Sequence, residues 1–341
     1  MRKQIPWLAA VLLTMILLPA SRALAWIEAG HRETALIAWE DLTPATRAKV
    51  TEILKQHPRY QKDLLDHLPA NYAGDDISKF AFTAAAIWPD TVRSFNNPMH
   101  ATHNHPAWHY IDIPYAIDGQ PVPPAREGAA GKGPSNIVEA LAKNVADLKD
   151  PAASPADQAV AICWVAHLCG DIHQPLHACT LYSPQFPTGD RGGNSFMVMR
   201  DPPYADSVKN LHFVWDSMPG EFKSVEYDAI FARGLRSDPK FSREKLKDAL
   251  AVKDFAAWAN ESHALAIQYA YLNGKLAGGT KPSRDGPATR PAKEAAAPGL
   301  PPDYIRNGEA VAAERVVLGG YRLADLLNSI YDPKPTASSA K

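Results

Sequence analysis

The chain has 341 residues and is 46% hydrophobic, long enough to bury a core without covalent staples. Its formal charge of −1 excludes a global basic field for polyanions, so any contact with phosphate has to be local. Three cysteines, Cys163, Cys169 and Cys179, cannot all pair, which excludes a disulfide-dense scaffold.

Met1-Arg2-Lys3-Gln4 precedes an apolar run from Ile5 to Ala20, and Ala23-Leu24-Ala25 follows with small residues where a signal peptidase reads. This is the pattern of a secretory signal peptide over 1–25, cut between Ala25 and Trp26, and it predicts a secreted or periplasmic protein. The run is short for a membrane span, and no later segment is apolar and long enough to make one. Cleavage removes three cations and no acid, taking the formal charge to about −4. It also frees the Trp26 amine beside a backbone carbonyl, a pair able to chelate metal.

Residues 31–41 read as a helix, and Thr43-Pro44 as the cap and first turn of another, to about Gln56. Ser135 is the expected cap of a helix reaching Leu148. Ala156 to Cys169 is helical and apolar all round, as in a buried helix, and Cys163 and Cys169 fit its core; a single disulfide with one cysteine left over stays open. Residues 240–271 read as one long helix or two in tandem. A last helix covers 304–329, with Gly319 and Gly320 weakening its middle. Strand signals are poor, so the pattern predicts one all-α domain over 26–332 without internal repeats. Residues 116–134 read as a loop, 273–303 as a disordered surface insertion, and 333–341 as a flexible tail.

Histidine carries the chemistry. His167 and Asp171 stand four apart at the end of a helix and share a face, and Pro175 then lets His177 turn back. His212 and Asp216 repeat the spacing. Asp90 with Arg93, His109 with Asp112, and His31 complete the set. Two His-x-x-x-Asp pairs among apolar and aromatic neighbours point to a multinuclear metal site, because one cation satisfies many buried imidazoles and carboxylates. Imidazole and carboxylate without paired thiolates suits hydrolytic zinc. His100, His103 and His105 read as a solvated loop, and Glu33, Glu40 and Asp41 as a solvated helix face. His57, His67 and His263 read as structural or exposed.

These segments resemble the S1/P1 nuclease family: Trp26…Gly30-His31, Trp88-Pro89-Asp90 with Arg93, Trp108 to Pro114, His167 to His177, Gly189 to Asn194, His212 to Asp216, and the closing helix from about Val311 to Asn328. They run in order over nearly the whole of 26–332, and Gly-Asp-Ile-His-Gln-Pro-Leu-His is very specific. The resemblance implies the helical phospholipase C/P1 nuclease-like fold. It implies three zinc ions: one on Asp90, His109, His167 and Asp171; one on the Trp26 amine and carbonyl, His31 and the bridging Asp171; one on His177, His212 and Asp216. It further implies a metal-bridged hydroxide as nucleophile, with single-stranded DNA, RNA and nucleotides as substrates. The expected activities are endonucleolytic cleavage to 5′-phosphate ends and a 3′-nucleotidase. Asp90, Arg93, Asp112 and Asp171 are the catalytic candidates; Tyr110, Asn194, Arg93 and Asp112 are the candidate substrate contacts. For Arg93 an ordinary salt bridge to Asp112 is the competing reading, and for Tyr110 plain packing. No obligate protein partner is implied.

Departures are Ile27, where the family commonly has glycine, the long 273–303 insertion, and cysteines that do not reproduce the family's disulfides. Two rivals remain at this level. A zinc-dependent phospholipase C shares the ligand logic, but typically has glutamate where Asp216 stands. A non-catalytic secreted zinc-binding protein would retain the ligands without hydrolysis.

Overall fold

The computed structural model describes residues 26–123, 133–200, 208–220, 224–280 and 297–332. The expected signal peptide, the middle of the 273–303 insertion and the 333–341 tail lie outside them. The helices are α1 (Glu28–Asp41), α2 (Pro44–Leu54), α3 (Asp75–Ala85), α4 (Trp88–Thr91), α5 (His100–His103), α6 (Ile137–Lys149), α7 (Pro155–Asp171), α8 (Leu211–Asp216), α9 (Val225–Ser237), α10 (Lys247–Ala251), α11 (Phe255–Leu265) and α12 (Tyr304–Tyr331).

α7 is the axis, packed against α1, α2, α3, α6 and α12. Ser154 caps it by accepting the Asp157 N–H at 3.1 Å, and Pro155 fills its first turn. From Ala159 to Asp171 every residue is buried, so the all-round apolar sequence has found an all-round core. Cys163, Cys169 and Cys179 are buried free thiols, which excludes the disulfide left open above. Thr43 caps α2 as expected, accepting the Thr46 N–H at 3.2 Å. The cap of α6 is Asn136, not Ser135. Asn136 accepts from Val138 and Glu139, while Ser135 grips the Glu139 carboxylate.

The expectation of an all-α chain needs correcting: the domain is largely helical but carries small sheets. β1 (Pro114–Ala116) pairs parallel with β2 (Thr180–Tyr182), Tyr115 opposite Leu181. β3 (Phe196–Met199) lies antiparallel between β4 (Val208–Asn210) and β5 (Gly279–Thr280). Strands this short offer too few residues for a readable alternation. β5, and the Met199–Gly299 bridge, also tie both described ends of the 273–303 stretch to the sheet, so those ends are structured. The 240–271 stretch is broken more finely than expected. α10 ends at Ala251, and Asp254 starts α11 by capping Ala257 at 2.7 Å.

α12 continues through Gly319 and Gly320. A Cβ on Gly320 would meet the Thr34 carbonyl of α1 at 2.9 Å, and one on Gly319 the Cys169 carbonyl of α7 at 3.1 Å. The paired glycines therefore buy close helix contact, at the cost in helix propensity that suggested a weak middle. α1 also departs from expectation. Glu33 is fully buried and Asp41 holds Arg236 and Arg243; only Glu40 stays exposed, paired with Lys79 at 2.6 Å. Burial and then the nearby Asp228 push the Glu33 carboxyl well above the usual range.

The Gly189–Asn194 loop is pinned through Asp190, which is fully buried and accepts from the Leu181 N–H at 2.9 Å and the Tyr271 hydroxyl at 2.7 Å. Burial pushes its carboxyl from 3.8 up to about 6, against those hydrogen bonds. The folded state thus holds this proton more tightly than the unfolded chain. Its contribution to stability is full below the unfolded pKa and is lost as pH rises through 6. Asp190→Asn keeps an acceptor and a donor without the charge. Relative to its low-pH value, its stability advantage over the parent should reach about 2–3 kcal/mol above pH 6. Melting both proteins at pH 4 and pH 7.5 tests this; a pH-independent difference would contradict it.

Candidate metal centre

The centre lies where two cores meet. Trp108 and Trp164 belong to the core around α7, and Trp26, Leu176 and Trp215 to the one around α12. α1 delivers His31, α4 Asp90, the turn after α5 His109, α7 His167 and Asp171, the next turn His177, and α8 His212 and Asp216. Ile111 donates to the His177 carbonyl at 2.8 Å, and the β1–β2 pairing continues from there, joining the two segments that bear His109 and His177.

Three groups have ligand-capable atoms within 4.8 Å of one another: His31, His167 and Asp171; Asp90, His109 and His167; His177, His212 and Asp216. Asp171 borders the second group too, with one oxygen 3.0 Å from both His109 Nδ1 and His167 Nε2. It also stands 3.3 Å from His31 and 3.6 Å from His177. The eight side chains expected as ligands all fall in these three groups. Trp26, the one expected ligand acting through its backbone, is fully buried and donates its indole N–H to the Gly170 carbonyl at 2.8 Å.

Backbone carbonyls orient the rings. His167 Nδ1 meets the Ala86 carbonyl at 2.8 Å, His177 Nδ1 that of His109 at 2.8 Å, and His212 Nδ1 that of Gly192 at 2.7 Å. Since a carbonyl only accepts, each Nδ1 carries the proton and each Nε2 presents a lone pair inward. Both nitrogens of His31, Nε2 of His109 and His177, and one oxygen of Asp171 are buried without a hydrogen-bond partner. Buried polar atoms are rarely left so, and a cation is what would satisfy them together. Burial alone would raise Asp171, yet the His167 and His177 rings hold it well below the usual carboxylate range.

The centre opens into a cleft of about 220 Å³. Arg93, Tyr110, Asp112, Arg191 and Asn194 line it, above His109, His177 and His212. Arg93 donates to Asp90 at 3.0 Å, not to Asp112. Asp112 instead accepts from the Thr180 hydroxyl at 2.5 Å, so the proposed Arg93–Asp112 pairing is corrected. Tyr110 is 41% exposed, a ring presented to the cleft and not packed away. Asn194 donates to the Arg191 carbonyl at 3.0 Å. His100, His103 and His105 are half-buried rather than solvated, and His105 stacks on Trp108 at 3.9 Å.

Two residues carry no assignment on sequence grounds, Gln174 and Arg191. Gln174 is fully buried, donates to Asp216 at 2.7 Å and accepts from the Leu176 N–H. Its place between two expected ligands was the available signal.

Among the described residues no helix is long and apolar enough to cross a membrane. The S1/P1 nuclease model matches residues 26–332. The chain is 26% identical to Endonuclease 1 of Arabidopsis thaliana over 95% of this chain and 93% of that protein. It is 26% identical to Endonuclease 4 of the same plant, over 96% of each. With Nuclease S1 of Aspergillus oryzae the identity is 25%, over 89% of this chain and 91% of that protein. A model match of this extent, together with three metal-capable clusters beside one cleft, shows that the chain is a nuclease and belongs to the S1/P1 nuclease family.

Proposed function

We propose that this is an exported, zinc-dependent endonuclease that cuts single-stranded DNA and RNA to 5′-phosphate ends and also removes phosphate from 3′-nucleotides. The observation that carries the reading is a set of three adjacent imidazole–carboxylate groups that open, through His109, His177 and His212, on a cleft that also holds Arg93. The donor set fits zinc: nitrogen and oxygen donors, no thiolate, and inward atoms otherwise unpartnered. Asp90, His109, His167 and Asp171 would hold one ion; the Trp26 amine and carbonyl with His31 and Asp171 a second; His177, His212 and Asp216 a third. When bound, zinc supplies an acidified water as nucleophile and neutralises charge developing on the phosphate.

The chain's own residues then position the strand. Asp90 takes one Arg93 N–H, leaving the rest of the fork for a phosphate oxygen pair. Tyr110 offers a ring for a splayed base, and Asp112 and Asn194 offer polar contacts beside it. A base in so small a cleft has to leave its stack, which a duplex yields only at a cost; this is the basis of single-strand preference. Contacts to backbone and not to base edges predict low sequence specificity. Cleavage between Ala25 and Trp26 is part of the proposal, because it creates the Trp26 amine.

The test is to express the chain with its leader, then measure N-terminal sequence, metal content and cleavage of single-stranded and duplex DNA with and without chelator. Trp26 as first residue, three zincs and chelator-sensitive single-strand cleavage are the expected results. Zinc-loaded protein inert on nucleic acid but active on a choline phospholipid would replace this reading with the phospholipase one.

Gln174→Met should weaken zinc binding at the His177–His212–Asp216 group by about 10–100-fold, the usual effect of removing a hydrogen bond that orients a ligand. Chelator competition followed by metal analysis measures it. Three zincs with parental affinities would show that Asp216 needs no such support.

A further inference from the structure

Arg191 sits at φ 60° in the left-handed region, within a loop where Gly189, Gly192 and Gly193 also have positive φ. A non-glycine residue there costs roughly 1 kcal/mol or more and persists only when its surroundings impose it. The surroundings do so here. Asp190 anchors one side through Leu181 and Tyr271, and its carbonyl takes the Ser195 N–H at 2.9 Å. On the other side the Arg191 carbonyl receives both the backbone and the side-chain N–H of Asn194. Gly192, next along, cannot carry a side chain, since its Cβ would meet the Leu176 carbonyl at 2.6 Å.

What this frame holds out is an exposed guanidinium on the cleft wall. Among the described residues it makes no hydrogen bond or ion pair. Two cations and the exposed Tyr110 ring line the same cleft. Arg93 is tied to Asp90 at the metal groups; Arg191 is free and comes from a different segment of the wall.

The geometry points to Arg191 as a subsite for the phosphodiester next to the scissile one. This rests on the nuclease reading above and deepens it. A polynucleotide carries one negative charge per link, so with one phosphate at the metal groups and Arg93, its neighbour needs a separate cation. A substrate with a single phosphate has nothing to place there. Arg191 is therefore a residue for recognising polymer, acting on binding and not on the chemical step.

The test compares the zinc-loaded, processed protein with its R191A, R191G and R191K variants. R191G removes the side chain while relieving the left-handed backbone. The substrates are a dinucleoside monophosphate and the trinucleoside diphosphate of the same base, at several salt concentrations. R191A and R191G should both raise KM for the two-phosphate substrate by about tenfold more than for the one-phosphate substrate, with kcat on the former little altered. The slope of log kcat/KM against log salt should fall by about 0.7 for the two-phosphate substrate, and R191K should restore it. Equal effects on both substrates would move Arg191 to the scissile phosphate and overturn the inference. So would no effect on either, or a loss in R191A that R191G does not share. If the parent protein cleaves neither substrate, the nuclease reading has failed. The subsite is then judged by fluorescence anisotropy with a labelled single-stranded oligonucleotide: weaker binding by R191G supports it and unchanged binding overturns it.

Discussion

Asp171→Asn should lower kcat on single-stranded DNA by about 10³-fold or more and strip metal from two of the three groups. Asp171 is fully buried, within 3.0 to 3.6 Å of His31, His109, His167 and His177. Among the described residues no other carboxylate reaches so many of the candidate ligands. The amide retains the shape but loses the charge, and its N–H₂ group would face ring nitrogens that have to present lone pairs. Metal stabilisation of a phosphoryl transition state is worth several kcal/mol, and about 4 kcal/mol corresponds to roughly 10³ in rate. Asp216→Asn is the instructive comparison. Among the candidate ligands Asp216 approaches only His177 and His212, so its loss should release one equivalent of metal and leave the other two. Metal analysis beside steady-state kinetics distinguishes the cases. Asp171→Asn with three zincs and activity within tenfold of the parent would refute a shared bridging carboxylate.

The candidate ligands were legible because metal chemistry forces a particular residue type at a particular spacing. Histidine and aspartate four apart on a helix leave a mark that survives without any structure. Arg191 left none: an arginine among glycines reads as a turn, and only the φ of 60° and the missing partner give it a role. Glu33 was misread for a related reason. α1 carries Arg32 and Glu33 in a region buried on nearly all sides, so charge no longer marks the solvent face. Arg32 is compensated by Glu28 at 2.9 Å and by Asp228 on α9, partners that are distant or ambiguous in sequence. Local patterning fails here because this helix positions His31, and functional elements are where such rules are broken. The short strands failed for length alone, although the β1–β2 pair joins the two histidine-bearing segments.

Behind the turn between Asp171 and His177 lies a second charged assembly, and Glu261→Ala should destabilise the fold by about 3 kcal/mol, a fall in Tm of roughly 6 °C for a domain of this size. Arg322 is fully buried and Arg315 nearly so. Glu261 takes two N–H groups of Arg322 at 2.7 Å each and one of Arg315 at 2.9 Å. Removing it strands two buried cations. Removing Arg322 leaves a Glu261 that is 28% exposed and still paired with Arg315, so Arg322→Met should cost less despite the larger side chain. The assembly also supports the turn itself. Arg315 donates to the His173 carbonyl, Ser262 to that of Ile172 at 2.5 Å, and Arg322 to His173 Nε2 at 2.9 Å. Asp171 and His177 flank those groups, so the same substitution should loosen zinc binding as well as lower Tm. The pH dependence separates charge from packing. Burial works against ionisation, but Arg322 and Arg315 prevail and hold Glu261 below the usual 4.5. A depressed folded-state pKa gives stability that is present above the unfolded value and lost as pH falls through the folded one. The Tm gap between parent and Glu261→Ala should therefore be full at pH 7 and narrow below about pH 4. A gap that stays constant into acid would assign the loss to packing and leave the ion pairs without a stabilising role.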